Sequence, residues 1–184
     1  AALHIMREAG VDLEIETIEI GSRIYNMEGA SGLLPSARNS LLRTKVLFKG
    51  PIIMPEDKQF KSVTDAICEI LEMNDAGRTV HRHSSDIAAA AHVVENFALF
   101  EILQESSPEM AGKNTADPSG AILAGILLLE HIGQQETADR IRKAWQQALA
   151  EGLDKALGTQ EFAVAVVERL PVASARPLLY NPAI

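Results

Sequence analysis

Cysteine is nearly absent from this chain: 184 residues carry one, Cys68, which excludes an internal disulfide framework and suits a reducing compartment. Aromatic residues are scarce at 4%, and 17 Lys and Arg stand against 25 Asp and Glu, for a formal net charge of −8. Binding a phosphate backbone needs clustered Lys and Arg, and no basic stripe with interleaved aromatics occurs, so nucleic acid is not an expected partner. Long apolar runs are missing as well. The longest, Ala121 to Leu129, is far too short to cross a bilayer, and no charged-then-apolar leader opens the chain. The expectation is a cytoplasmic protein with no membrane partner. Internal repeats and low-complexity tracts are also lacking.

What is present is a 47% hydrophobic composition at a length that fits one domain and buries a sizeable core. "AALHIMREAGVDLEIETIEIG" reads as the end of a helix with Leu3 and Met6 on one face, Gly10 as its stop, and an alternating strand through Leu13, Ile15, Ile18 and Ile20. A short helix follows Pro35, and "KVLFKGPII" has the continuous apolar character of a central strand, broken at Gly50-Pro51. "KSVTDAICEILEM" places Val63, Ile67, Ile70 and Leu71 at helical spacing, capped by Ser62 or Thr64; Cys68 faces inward there as an inert thiol. Residues 74–85 read as a polar loop, "DIAAAAHVV" as a helix and "FALFEIL" as a strand. The last third is helical: Ala121 to Ile132 stopped by Gly133, Gln135 to Leu149 with Trp145 capping the core, and Thr159 to Leu170 stopped by Pro171. Alternating helices and strands of this composition predict a three-layer α/β sandwich. A single domain spans residues 1–172, and a proline-rich tail follows at 173–184.

Three stretches together resemble the isocitrate and isopropylmalate dehydrogenases, in particular bacterial isocitrate dehydrogenases. They are "VDLEIETIEIGSRIYNMEGASGLLP", "RTKVLFKGPIIMPEDKQFKSVTDAI" and "FALFEILQESSPEMAGKNTADPSGAILAGILLLEHIG". The resemblance implies the large α/β domain of such an enzyme, with residues 74–96 as a short replacement for its small domain. It also implies a metal-dependent, NAD(P)-linked oxidation of a 2-hydroxy acid followed by loss of a β-carboxylate.

Carried over position by position, the resemblance makes Ser62, Thr64 and Arg78 substrate-binding residues and Ser106, Glu109, Gly112, Asn114 and Asp117 cofactor-binding ones. Ser62 keeps the family's residue, whereas Thr64 replaces an asparagine and Cys68 replaces a carboxylate-binding arginine, so a bidentate clamp becomes a neutral thiol. Met54 and Asp57 to Gln59 stand where the family has a threonine and glycines near the nicotinamide, and Gln104-Glu105 replaces His-Gly. Asp117 replaces the asparagine that reads adenine; a carboxylate accepts from the adenine amino group but cannot donate to a ring nitrogen. Glu109 would repel a 2′-phosphate, which favours NAD over NADP. For a Mg or Mn ion the resemblance offers only Asp86, the neighbouring metal aspartate falling at Arg82, so the hard-cation site is degraded. His81, His83 and Asp86 form a weak H-x-H-x-x-D pattern for a transition metal, beside the plainer reading of a polar loop.

Three functional readings stay open on the sequence. The first is a catalytically impaired homologue that retains weak NAD or adenine-nucleotide binding, or regulates a partner such as a full-length paralogue. The second is an active NAD-dependent isocitrate-type dehydrogenase whose small domain is present elsewhere or supplied by a partner. The third is a structural module whose uncovered face forms a homo-oligomer.

Overall fold

The computed structural model describes residues 1–21, 24, 33–52, 63–70, 78–82, 88–94, 97–103 and 108–172. Its elements run α1 (Ala2–Glu8), α2 (Pro35–Thr44), β1 (Val46–Lys49), α3 (Val63–Ile70), β2 (Arg78–Arg82), β3 (Ala88–Val94) and β4 (Phe97–Ile102). A 3-10 turn at Pro108–Met110 precedes α4 (Ser119–His131), α5 (Gln135–Ala150), α6 (Leu153–Ala156) and α7 (Thr159–Glu168). The strands form one sheet in the order β1-β4-β3-β2, in which β1 runs parallel to β4 while β3 is antiparallel to both its neighbours.

Side-chain alternation sends successive residues of each strand to opposite faces, and both faces are covered. Ala89 and Ala91 of β3, Ala98 and Phe100 of β4, and the flanking Val46 and Phe48 of β1 pack against the α1, α4, α5 and α7 layer. Leu99 and Phe97 of β4 and Leu47 of β1 pack against Ala37 and Leu41 of α2 and Ala66 and Ile67 of α3. The three-layer α/β sandwich read from the sequence is thus the observed architecture.

The core rests on α4, buried from Ile122 through Leu129, which a helix apolar on all sides must be. Its end shows why Gly133 stops it. Gly133 adopts φ +80°, its N–H donates to Glu130 O at 3.2 Å, and Gln134 N–H reaches back to Leu129 O at 2.8 Å. That Schellman closure satisfies two terminal carbonyls, and the left-handed residue within it carries no Cβ penalty when it is glycine. Gly10 ends α1 in the same way, with φ +87° and Val11 N–H on Met6 O at 3.0 Å.

Four local readings are corrected. "DIAAAAHVV", read as a helix, contributes β3 over Ala88–Val94. Alanine favours helix in isolation, but these four lie in a strand paired on both sides and under α4, where a small side chain lets the helix approach the sheet. Residues 78–82, read as loop, form β2, the last strand of the sheet among the described residues. The alternating Leu13 to Ile20 segment is not assigned as a strand, and among the described residues its one ladder contact is the isolated bridge between Ile20 and Leu33. Trp145 is 2% exposed and lies inside the core rather than at its margin.

Candidate functional site

In an open α/β sheet, ligands bind outside the carboxyl ends of the strands, where neighbouring connections diverge. Here β1 and β4 are adjacent and parallel, so both carboxyl ends open on the same side; β1 leads on to α3 and β4 leads through residues 103–118 to α4. Lys49 and Glu101 close these two strands and are register partners.

Both are charged, and both are buried: Lys49 is 7% exposed and Glu101 4%. Lys49 Nζ lies 3.1 Å from Glu101 Oε2 and 3.4 Å from Gly50 O. His92 on β3 reaches the other carboxylate oxygen, Nε2 to Oε1 at 3.1 Å, and Thr64 Oγ1 on α3 donates to Oε2 at 3.3 Å. An ionised carboxylate only accepts, so Nε2 of His92 carries the proton in this contact. Burial works to raise the Glu101 pKa, but the Lys49 ammonium, through its charge and its hydrogen bond, together with His92, holds it below the usual carboxylate range. Glu101 is therefore an anion at neutral pH, enclosed by a cation, an imidazole and a hydroxyl.

The second part of the site is the loop between β4 and α4. Glu109 is exposed on the 3-10 turn, and Gly112 is exposed at φ +75°, a left-handed conformation that glycine adopts without a Cβ penalty. Asn114 also sits left-handed, at φ 56°, a conformation that asparagine tolerates. Its side chain is fully engaged inside the protein. Nδ2 donates to Glu161 Oε2 at 2.6 Å and Oδ1 accepts the Gln160 N–H at 2.8 Å, while its backbone carbonyl accepts Thr159 N–H at 3.0 Å. Thr159 Oγ1 in turn donates to Ala116 O, so the loop is riveted to the first turn of α7. Asp117 is exposed and uses Oδ1 to accept the Ser119 N–H at 2.8 Å, placing a negative charge at the positive end of α4.

Asn114 acts as a cap borrowed from outside the helix it caps. Asn114→Ala is expected to destabilise the fold by about 1 kcal/mol, the usual effect of losing a helix cap, with chemical denaturation as the measurement.

Of the residues expected from sequence, Thr64 joins the buried cluster, and Gly112, Asn114, Glu109 and Asp117 share the loop before α4. Arg78 lies in β2 at the register position opposite His92, not in a loop. Ser62, Ser106 and Asp86 fall outside the described residues, as does His83, while His81 is half-buried on β2. Among the described residues no group of three or more His, Cys, Asp or Glu converges as a metal site. The one buried carboxylate of the crevice already has an ammonium 3.1 Å away, the wrong partner for a ligand to a hard cation. These residues do not fit a divalent metal.

Sequence reasoning missed His92, Lys49 and Glu101 as a chemical unit. A signal existed: "KVLFK" and "FALFE" each end a continuous apolar run on a charge, which places that charge at the mouth of a buried strand.

A doubly covered sheet with its crevice at a parallel strand pair and an anchored loop before a buried helix defines an α/β sandwich. Residues 83–167 match the model of the isocitrate/isopropylmalate dehydrogenase family, so that stretch is similar to that family. The NADP isocitrate dehydrogenase of Rickettsia bellii is 38% identical over 98 residues, covering 47% of this chain and 20% of that protein. The 3-isopropylmalate dehydrogenase of Methanothermobacter thermautotrophicus is 36% identical over 124 residues, covering 65% and 37%. This chain thus spans well under half the length of these relatives. The crystal structure of isocitrate dehydrogenase from Methylococcus capsulatus superposes with a TM-score of 0.76 at 15% identity, covering 92% of this chain and 94% of the other. A β-decarboxylating dehydrogenase from Thermococcus kodakarensis gives 0.77 at 13% identity, covering 92% and 90%. At such identities the structural likeness establishes the fold. No helix among the described residues is long and apolar enough to cross a membrane.

Proposed function

We propose that this chain is a catalytically impaired relative of the isocitrate and isopropylmalate dehydrogenases that retains weak binding of NAD through the loop before α4. The observation that carries the reading is the closed charge cluster at the carboxyl ends of β1 and β4. Glu101 already accepts from Lys49, His92 and Thr64, so its carboxylate is engaged within the protein instead of standing ready to take a substrate proton. Cys68, where the resemblance places a carboxylate-binding arginine, is half-buried on α3 and offers no charge to a substrate carboxylate.

Preference for NAD follows from the loop's charge. Glu109 and Asp117 are both exposed carboxylates, which disfavour an added 2′-phosphate even though the Rickettsia relative is an NADP enzyme. Asp117 offers its remaining carboxylate oxygen to the adenine amino group. The protein would work in the cytoplasm, alone as a homo-oligomer or beside a full-length paralogue.

Calorimetric titration of the purified protein with NAD and with NADP, with and without magnesium and isocitrate, tests this. The expected result is saturable NAD binding, weaker NADP binding and no response to magnesium; robust isocitrate turnover would sink the proposal of impairment. The second reading, an active dehydrogenase completed by a partner, is favoured by the short span over which its relatives align. It requires turnover to appear when a full-length paralogue is added.

A further inference from the structure

Asp117, whose free carboxylate oxygen is offered to adenine, stands on an exposed stretch: residues 115–117 all face solvent. What fixes its direction lies in α7. Phe162, Ala163 and Val166 bury one face of that helix in the main core, so its first turn is a fixed base. Thr159, the first residue of α7, holds the loop at two points. Its N–H donates to Asn114 O at 3.0 Å, and its hydroxyl donates to Ala116 O. Asp117 follows directly and is held from the other side by α4, through the Ser119 N–H at 2.8 Å. Together these bonds restrict where its second carboxylate oxygen can point.

Gly158 shows how close the fit between loop and helix is. Its φ of −75° and ψ of 172° are angles that any residue adopts, so conformation does not call for glycine here. Space does. A methyl group at this position would stand 2.5 Å from Asn114 Nδ2, 2.6 Å from Glu161 Oε2 and 2.7 Å from Asn114 O. The ends of side chains can swing aside, but a carbonyl moves only with its backbone, so a side chain at 158 displaces the loop from α7.

We propose that Gly158 and Thr159 are positioning residues for the nucleotide loop: through them α7 sets the direction of Asp117, and with it selection for the adenine amino group. This rests on the nucleotide reading above and adds to it the source of selectivity. An ionised carboxylate only accepts, so it favours a base with an exocyclic N–H and gains nothing from one without. Such a bond weakens steeply as its angle closes, so a small rotation at residue 117 removes the preference.

The test uses the full chain and two probes, AMP and purine riboside 5′-monophosphate, which differ only in the amino group of the base. Calorimetry gives both affinities for the parent and for Gly158→Ala, Thr159→Val and Thr159→Ser, and circular dichroism shows which variants are folded. The parent should prefer AMP by about tenfold, the size of one hydrogen bond to a charged group. Thr159→Ser keeps the hydroxyl and should keep the preference, whereas Thr159→Val and Gly158→Ala should reduce it to about twofold or less. A variant that is merely less stable binds both probes less by the same factor, so the ratio separates positioning from folding. Thr159→Val decides the matter if Gly158→Ala does not fold. A parent that binds neither probe overturns the nucleotide reading and this inference with it. A parent that binds both equally, or a preference that survives Thr159→Val, overturns the positioning role alone and leaves nucleotide binding standing.

Discussion

Replacing Glu101 with alanine is expected to lower the unfolding free energy by about 3–5 kcal/mol, the range for a buried ion pair that loses one partner. The reason lies in what is left behind. Lys49 is 7% exposed, and without Glu101 its ammonium keeps, among the described residues, only the Gly50 carbonyl at 3.4 Å, while His92 and Thr64 lose a shared acceptor. Replacing Glu101 and Lys49 together by apolar residues of similar volume should recover most of the loss, because the desolvation of both charges is removed with them. By contrast, the exposed pair of Arg43 and Glu16 should contribute little despite its close geometry.

The same group sets an acid limit. Its folded pKa is depressed, so its contribution to stability is complete above the unfolded value of about 4.3 and disappears as pH falls through the lower folded value. Urea denaturation of the parent and Glu101→Ala proteins at neutral and at acid pH measures both effects. The gap between the two should be widest near neutrality and shrink in acid. A neutral-pH gap below about 1 kcal/mol would contradict the assignment of an anionic, buried Glu101.

How far the sequence discloses this arrangement differs by element. The α/β class, the helices of the last third and the strand at Val46–Lys49 are legible because their signals are local: apolar periodicity, a proline at the start of α2, a glycine after α4. Ala88–Val94 is not, because its strand state comes from two long-range pairings and from burial under α4, none of which four alanines announce. That misreading hid the site as well, since His92 faces Glu101 only when it stands on a strand beside β4. The reverse happened at Leu13 to Ile20, where alternation suggests a strand but, among the described residues, only the Ile20–Leu33 bridge pairs it. A pattern specifies what a segment can pair with, and pairing itself needs a neighbour.

The loop shows a subtler limit. Resemblance places Asn114 among cofactor residues, yet both ends of its amide are committed to the first turn of α7, and only the folded contact with residues 159–161 reveals this. Asp117 is likewise partly spent on α4. Side chains of this loop that are engaged within the protein are thereby less open to an external ligand.

Trp145→Ala is expected to cost about 3–5 kcal/mol, the range for deleting a large buried aromatic side chain. The indole is 2% exposed within the main core, and its Nε1 donates to Ser119 Oγ at 3.2 Å, so the side chain fills space and joins α5 to the first residue of α4. Ser119 is fully buried and its N–H donates to Asp117, so this contact braces the end of α4 at which the preceding loop arrives. Trp145→Phe separates the two roles. It keeps an apolar ring but leaves the Ser119 hydroxyl without its donor, an expected loss of about 1–3 kcal/mol. As this is the only tryptophan, far-UV circular dichroism in urea is the measurement rather than fluorescence. If the phenylalanine variant were as destabilised as the alanine one, the hydrogen bond and not the ring would dominate. If it were unchanged, Ser119 would have found another partner, and the bracing of the loop through Trp145 would fall with it.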